Sequence, residues 1–374
     1  MKSNYSPSVN IIRDANIEMN YVVTQNAENS ALKIFNDFQK GFHAFSIIGS
    51  YGTGKSSFLW ALEQTLRGNK LFDISNNYDN IDIVNLIGSY HSIIDQFNEA
   101  FSVESDYSNY QKLFDAIFQR YNDLGENSLL VIAIDEFGKI LEYAANNEPE
   151  KEMYFIQQLA EFVNAPDRNI LLVTTLHQAP ESYAHKLTDA QKNEWRKVKG
   201  RLQEVLFNEP VEQLLALAIS HFEERIGVSK ETTYSKALIQ LQKDKRIYSI
   251  GDGYAKQLKN SLSPLDLFSA YTLTLALQRY GQNERSLFSF LVSSDEIGLF
   301  ENGKQFTIAS VYDFLITNYY HTLSSSATLD AAGWRAVRHA IQRTETLDVQ
   351  NKVLAENIVK AVSYTHLRAH ETTD

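Results

Sequence analysis

Apolar residues along this chain change period several times, and each change marks a new element. Ala31–Phe38 carries its apolar positions at helical spacing inside an otherwise polar opening stretch. His43–Ile48 is a short apolar run that predicts a strand, and a glycine-rich turn and a helix over Ser56–Leu66 follow. Ile81–Leu86 predicts a second strand, with helical stretches around 90–101 and 107–123 behind it. Leu129–Ile134 is continuously apolar, as expected of a strand covered on both faces. Met153–Val163 has helical spacing, Asn169–Thr175 predicts a fourth strand, and Val205–Phe207 is a candidate fifth. Strands alternating with helices imply an α/β fold: a parallel sheet with helices on both faces. After Pro210 the pattern is helical only, over Val211–Glu223, Tyr234–Gln242 and Asp266–Tyr280. The expected organisation is an N-terminal extension (1–40), a core (41–210), a helical domain (211–292), a further mostly helical region (293–361) and a tail (362–374). The aromatics Phe288, Phe290, Phe300, Phe306, Tyr312 and Phe314 are expected to be core.

Composition narrows the setting. The 374 residues include no cysteine, which excludes a disulfide framework and a cysteine-bound metal. No apolar run approaches the roughly 20 residues of a membrane helix, so no membrane partner is expected. The opening MKSNYSPSVN lacks the apolar core of a secretory signal, and the cytoplasm is the expected compartment. Net charge is −11, which argues against a sequence-nonspecific nucleic-acid coat protein.

The tail Val362–Thr372 resembles the translation of a transposase-based sequencing adaptor and is set aside from fold reasoning. On that reading His366 and His370, although spaced as helical metal ligands, are no metal site. The gene's own frame is then expected to continue past Ala361 into further C-terminal domains.

The chemistry concentrates at strand ends. Gly49-Ser50-Tyr51-Gly52-Thr53-Gly54-Lys55-Ser56 matches G-x-x-x-x-G-K-[ST] in full, between an apolar strand and a helix. Glycines let backbone amides close around phosphate oxygens, and the helix presents its positive end to the same anion. Lys55 is expected on the β- and γ-phosphates, Ser56 on Mg²⁺, and Ser57 in the same binding set. Asp135 and Glu136 end the third strand, at the carboxyl edge where such sheets bind ligands. Asp135 suits Mg²⁺, directly or through water, and Glu136 suits the base that orients and deprotonates an attacking water. Thr175 and His177, at the end of the fourth strand, are both candidates to position that water. Asn85 is a candidate hydrogen-bond partner of Glu136 or a cap.

The basic stretch Lys192–Arg201 is a solvated face, a nucleic-acid contact, or the source of an arginine finger at Arg201 for a neighbouring subunit. Arg279 and Arg285 are candidates to reach the nucleotide from the helical domain.

These motifs resemble the AAA+ branch of P-loop ATPases and the related STAND signalling NTPases. Gly49–Ser56 stands as Walker A, Leu130–Glu136 as Walker B, and the strand ending near Thr175 as sensor 1, without the usual asparagine. Lys199–Pro210 is similar to the segment carrying the arginine finger and leading into the lid. No N-K-x-D, L-S-G-G-Q or H-R-D motif is present, against GTPase, ABC and kinase readings. The resemblance implies ATP and Mg²⁺ as cofactors, hydrolysis, a helical lid over 211–292 and a homo-oligomer. With Phe137-Gly138-Lys139 after Walker B and Gly281-Gln-Asn-Glu-Arg285, the chain also resembles large ATPases of bacterial mobile elements and antiphage defence. Two functions remain open: a switch or motor in DNA metabolism or defence, and a STAND-type sensor that recruits an effector. Nucleic acid or effector would be contacted through the missing C-terminal domains.

Overall fold

The computed structural model describes residues 9–207 except 18, 20, 22, 184–186, 189–190 and 193–199, and beyond them 236–237, 240–241, 265–280, 290, 306–324 and 331–363. The chain divides into two units, Met1–Asn208 and Glu209–Asp374.

The first unit runs α1 (Gln25–Phe38), β1 (Ala44–Ile48), α2 (Lys55–Leu66), β2 (Asn80–Ile87), α3 (Ile93–Phe101), α4 (Gln111–Asn122), β3 (Ser128–Asp135), α5 (Phe137–Asn146), α6 (Pro149–Val163), β4 (Ile170–Leu176), a 3₁₀ turn (Pro180–Tyr183) and β5 (Gln203–Leu206). The strands form one parallel sheet in the order β2-β3-β4-β1-β5. Their pairing sets Ile48 level with Leu176, and Ile134 level with Thr174. The carboxyl ends of β1, β4 and β3 therefore lie side by side.

Strand alternation sorts the sheet into two covered faces. Leu130, Ile132, Ile134 and Leu172 pack with α3, α4, α5 and α6. Leu129, Val131, Leu171, Val173, Phe45 and Ile47 pack with α1 and α2. Every residue of β1, β3 and β4 is buried, which is why those stretches are largely apolar on both faces.

The opening stretch belongs to this core rather than extending from it. Ile11 and the α1 residues Ala27, Ala31, Ile34, Phe35 and Phe38 are buried against β1 and α2. Thr24 caps α1, its hydroxyl accepting from the Ala27 amide at 3.1 Å. Three side chains then pin the segment before α1. The Trp60 indole donates to the Asp14 carbonyl at 3.1 Å, the Gln64 amide to Ala15 at 2.9 Å, and the Asn85 amide to Ile11 at 3.1 Å. Helix α5 had no counterpart in the sequence reading. Its signal was Phe137, Ile140, Leu141 and Ala144 at i, i+3, i+4 and i+7, all buried.

The second unit contains α7 (Leu267–Tyr280), α8 (Ile308–Ser324), α9 (Ala331–Thr344) and α10 (Val349–Val362). α8 bends at Tyr319 (φ −125°, ψ 18°). Leu265 bridges Phe306 in parallel fashion. Phe290, Phe306 and Tyr312 are buried and Phe314 partly so, as core aromatics should be. Phe288, Phe300, the helix expected at 211–223, most of that at 234–242, the boundary at Pro210 and the tail from 364 onward lie outside the described residues. Among the described residues no helix is long and apolar enough to cross a membrane.

Candidate phosphate-binding site

The loop between β1 and α2 is anchored at its start. The Gly49 amide donates to the Leu176 carbonyl at 3.0 Å, and the Phe207 amide to Ile48 at 2.7 Å. A Cβ on Gly49 would sit 2.0 Å from the Phe207 carbonyl oxygen, so only glycine fits there. Gly52 (φ +72°) and Gly54 (φ +78°) turn the chain through left-handed conformations open to glycine at little cost. Thr53 is buried and its hydroxyl donates to the Ser50 carbonyl at 2.9 Å.

Lys55 opens α2, and its ammonium folds over the loop to donate to the carbonyls of Gly49 (2.6 Å) and Ser50 (2.7 Å). Ser56 and Ser57 follow in the first turn, both partly exposed. Gly54, as N-cap, supplies no side-chain acceptor to the amides of that turn. The glycine turn, the Lys55 ammonium and the amino end of α2 thus lie together, the combination that favours an anion.

Two strands away, Asp135 is buried at the end of β3. Its Oδ1 accepts from the Thr175 hydroxyl at 2.6 Å and from the Glu136 amide at 3.0 Å. The Glu136 amide also reaches Thr175 Oγ1 at 2.9 Å. Glu136 is left-handed (φ 55°, ψ 35°), a conformation that costs a non-glycine residue about 1–3 kcal/mol. Those bonds to its amide hold it there. The backbone consequently turns at once from β3 into α5, and the Glu136 carboxylate pairs with Lys139, both half-exposed. That pairing holds the Lys139 ammonium pKa above its usual value.

Thr175 and His177 take different parts. Thr175 is buried and committed to Asp135. His177 stacks on Tyr51 of the loop, ring centroids 4.2 Å apart at 23°. The Tyr183 hydroxyl lies 3.2 Å from His177 Nδ1 and 3.3 Å from Nε2. Burial lowers the His177 pKa, Glu142 and Glu136 oppose that, and Lys55 adds to it. Burial pushes the phenols of Tyr51 and Tyr183 up. Sequence reasoning gave no role to Tyr183, and it read Gly138 and Lys139 only as part of the Phe-Gly-Lys that follows Walker B. For Gly138 a glycine inside a helical pattern was a further signal.

The remaining candidates lie elsewhere. The Asn85 amide donates to Glu63 (2.8 Å) and Ile11, on the α2 face of the sheet, and does not bond Glu136. Arg201 stands just before β5, at the amino edge of the sheet. Two nitrogens of its guanidinium meet one carboxylate oxygen, Oε1 of Glu161 in α6, at 2.7 and 2.6 Å. β1 separates the two edges by its full length, roughly 16 Å at the usual rise, so Arg201 does not serve its own chain's loop. Lys192 is described; residues 193–199 and Arg285 lie outside the described residues, as does the Arg279 side chain.

A strand–glycine loop–helix unit, in a parallel sheet with β4 inserted between β1 and β3, defines the fold as that of a P-loop nucleoside triphosphatase, here followed by a helical unit. No family model and no curated protein sequence matches the chain. Among solved structures it is similar to Cdc6p from Pyrobaculum aerophilum, with 12% identity over 94% of this chain and 84% of that one, TM-score 0.45. It is also similar to the Aeropyrum pernix ORC1 protein solved in complex with DNA (13% identity, 88% and 70% covered, TM-score 0.40). The Aeropyrum pernix ORC2 protein, solved in ADPNP–ADP complexes, is likewise similar (13%, 96% and 99%, TM-score 0.40).

Proposed function

We propose that this chain is an AAA+-type ATPase that binds ATP with Mg²⁺ and hydrolyses it, working as an oligomeric switch or motor in bacterial DNA metabolism or defence. The observation that carries the reading is the juxtaposition at one sheet edge. The Lys55 loop follows β1, Asp135 and Glu136 end β3, and β4 between them supplies Thr175 and His177.

The loop amides and Lys55 would hold the phosphates. The donor set beside them is hard oxygen, the Ser56 hydroxyl and the Asp135 carboxylate, which suits Mg²⁺. Among the described residues both bonds to the Asp135 carboxylate fall on Oδ1. These two residues would hold the ion, which neutralises charge on the β- and γ-phosphates when bound. Glu136 would take the proton of the attacking water, after exchanging Lys139 for it. Arg201, remote from its own loop, would act on the nucleotide of an adjacent subunit.

Lys55→Ala tests the core of this. Loss of a charge-assisted phosphate contact removes about 1.5–3 kcal/mol, so Mg-ATP affinity measured by calorimetry should fall at least about tenfold. Unchanged affinity rejects the reading. Steady-state turnover separates motor from sensor. Hydrolysis accelerated by DNA supports the motor, and slow turnover with ligand-triggered assembly defines a STAND-type signalling protein instead.

A further inference from the structure

Tyr51 is 62% exposed, yet its ring lies flat on the His177 imidazole at 4.2 Å. The opposite side of the chain of contacts is buried. Tyr183, 4% exposed, meets the imidazole edge-on with ring centroids 5.5 Å apart at 81°, and sets its hydroxyl against both ring nitrogens. Tyr183 in turn presses on α5 at Gly138. A Cβ there would lie 2.3 Å from the Tyr183 hydroxyl and 3.1 Å from His177 Cε1. Gly138 has no left-handed backbone to require it. Glycine inside a helix costs about 1 kcal/mol relative to alanine, so its place here is explained by the rings that occupy the missing side chain's space. Gly138 stands two residues after Glu136, in the same helical turn as Lys139.

We propose that Tyr51, His177, Tyr183 and Gly138 form a contact relay that transmits the conformation of the phosphate loop to Glu136, with His177 as its positioning residue. The proposal rests on the ATPase reading above. The loop half of the relay is exposed at Tyr51, which sits directly before the left-handed Gly52. The α5 half is stiff, because Tyr183 and the helix are packed in the core. A loop that closes on a triphosphate must carry Tyr51 with it. The imidazole either follows, shifting Tyr183 against α5, or loses its stacking partner. When the imidazole follows, the turn holding Glu136 and Lys139 feels the change. Burial lowers the imidazole pKa, opposed by Glu142 and Glu136.

Four variants test this: Tyr51→Ala, His177→Ala, His177→Phe and Gly138→Ala. Calorimetry and turnover are measured for each, with the ¹H–¹³C resonance of His177 Cε1 as a readout independent of activity. Tyr51→Ala and His177→Ala should each lower kcat at least about fivefold while changing Mg-ATP affinity less than about threefold. His177→Phe, which keeps a flat ring, should recover most of the loss caused by alanine. Gly138→Ala should displace the rings and alter the Tyr51 ring-current shift on His177. Normal kcat in Tyr51→Ala overturns the relay. So does His177→Phe being as impaired as His177→Ala, which would make the imidazole a direct hydrogen-bonding partner of the reacting groups. Failure of the wild type to bind Mg-ATP rejects the ATPase reading instead. In that event the effect of Gly138→Ala on the Tyr51–His177 stack still decides whether the contacts are coupled.

Discussion

Thr175 donates its hydroxyl to Asp135 at 2.6 Å, joining the ends of two neighbouring strands. Both residues are buried, and the same hydroxyl oxygen accepts from the Glu136 amide. One side chain therefore orients the carboxylate and holds the turn that follows it. Thr175→Val keeps the shape and removes the hydroxyl. It should destabilise the protein by about 1–3 kcal/mol in chemical denaturation, the cost of stranding a buried polar partner. Thr175→Ser should lose much less. Equal stability of Val and Thr variants would show that the bond contributes nothing.

Glu136 and Lys139 form an ion pair within one turn of α5. Glu136→Gln should retain Mg-ATP affinity while losing about 10²–10⁴ of turnover, the usual contribution of a general base. Lys139→Gln frees the carboxylate and should raise kcat a few-fold. The two changes should not add: in the Glu136→Gln background, Lys139→Gln should have no effect on rate. Near wild-type hydrolysis by Glu136→Gln would remove Glu136 from the base role.

Arg201 must leave Glu161 to reach a neighbour's nucleotide. The pair is largely solvated, so Arg201→Ala should cost no more than about 1 kcal/mol of stability. ATP binding should be normal and hydrolysis poor. Mixing Arg201→Ala with Lys55→Ala chains should restore some activity, because an intact loop then meets an intact arginine from the adjacent subunit. Normal basal turnover in Arg201→Ala, or lost turnover in a strictly monomeric ATP-bound protein, would exclude action in trans.

His43 gives the fold a pH dependence away from the site. It is buried, its Nδ1 lies 2.7 Å from the Val163 carbonyl, and its ring packs on Phe38 with centroids 4.5 Å apart. Burial lowers its pKa, opposed by the bond to Val163. The unfolded chain, with an ordinary pKa of about 6.5, therefore binds a proton that the folded chain resists. The stability contributed by His43 is present above that pH and is lost as pH falls through the folded value. His43→Gln should be less stable at pH 7 in urea unfolding, and its deficit should shrink as pH falls to 5. A deficit independent of pH would mean that His43 is protonated equally in both states.

The sheet and its loop were legible in the sequence because their causes are local. The largely apolar runs at 43–48, 129–134 and 169–175 are what a doubly covered strand requires, and the G-x-x-x-x-G-K-S spacing carries its own backbone demands. The pairing of a carboxylate with the end of β3 was readable for the same reason. Tertiary structure alone decided how these ends meet. Asn85 and Glu136 are both polar and near strand ends, but the register and strand faces send Asn85 to Glu63 and leave Glu136 with Lys139. Thr175 and His177 were equivalent candidates until parallel pairing set Thr175 beside Asp135 and left His177 to the loop. The opening helix looked like an appendage because nothing in its own spacing names the surface it covers. An amphipathic stripe specifies that a face will be buried, and only packing specifies against what.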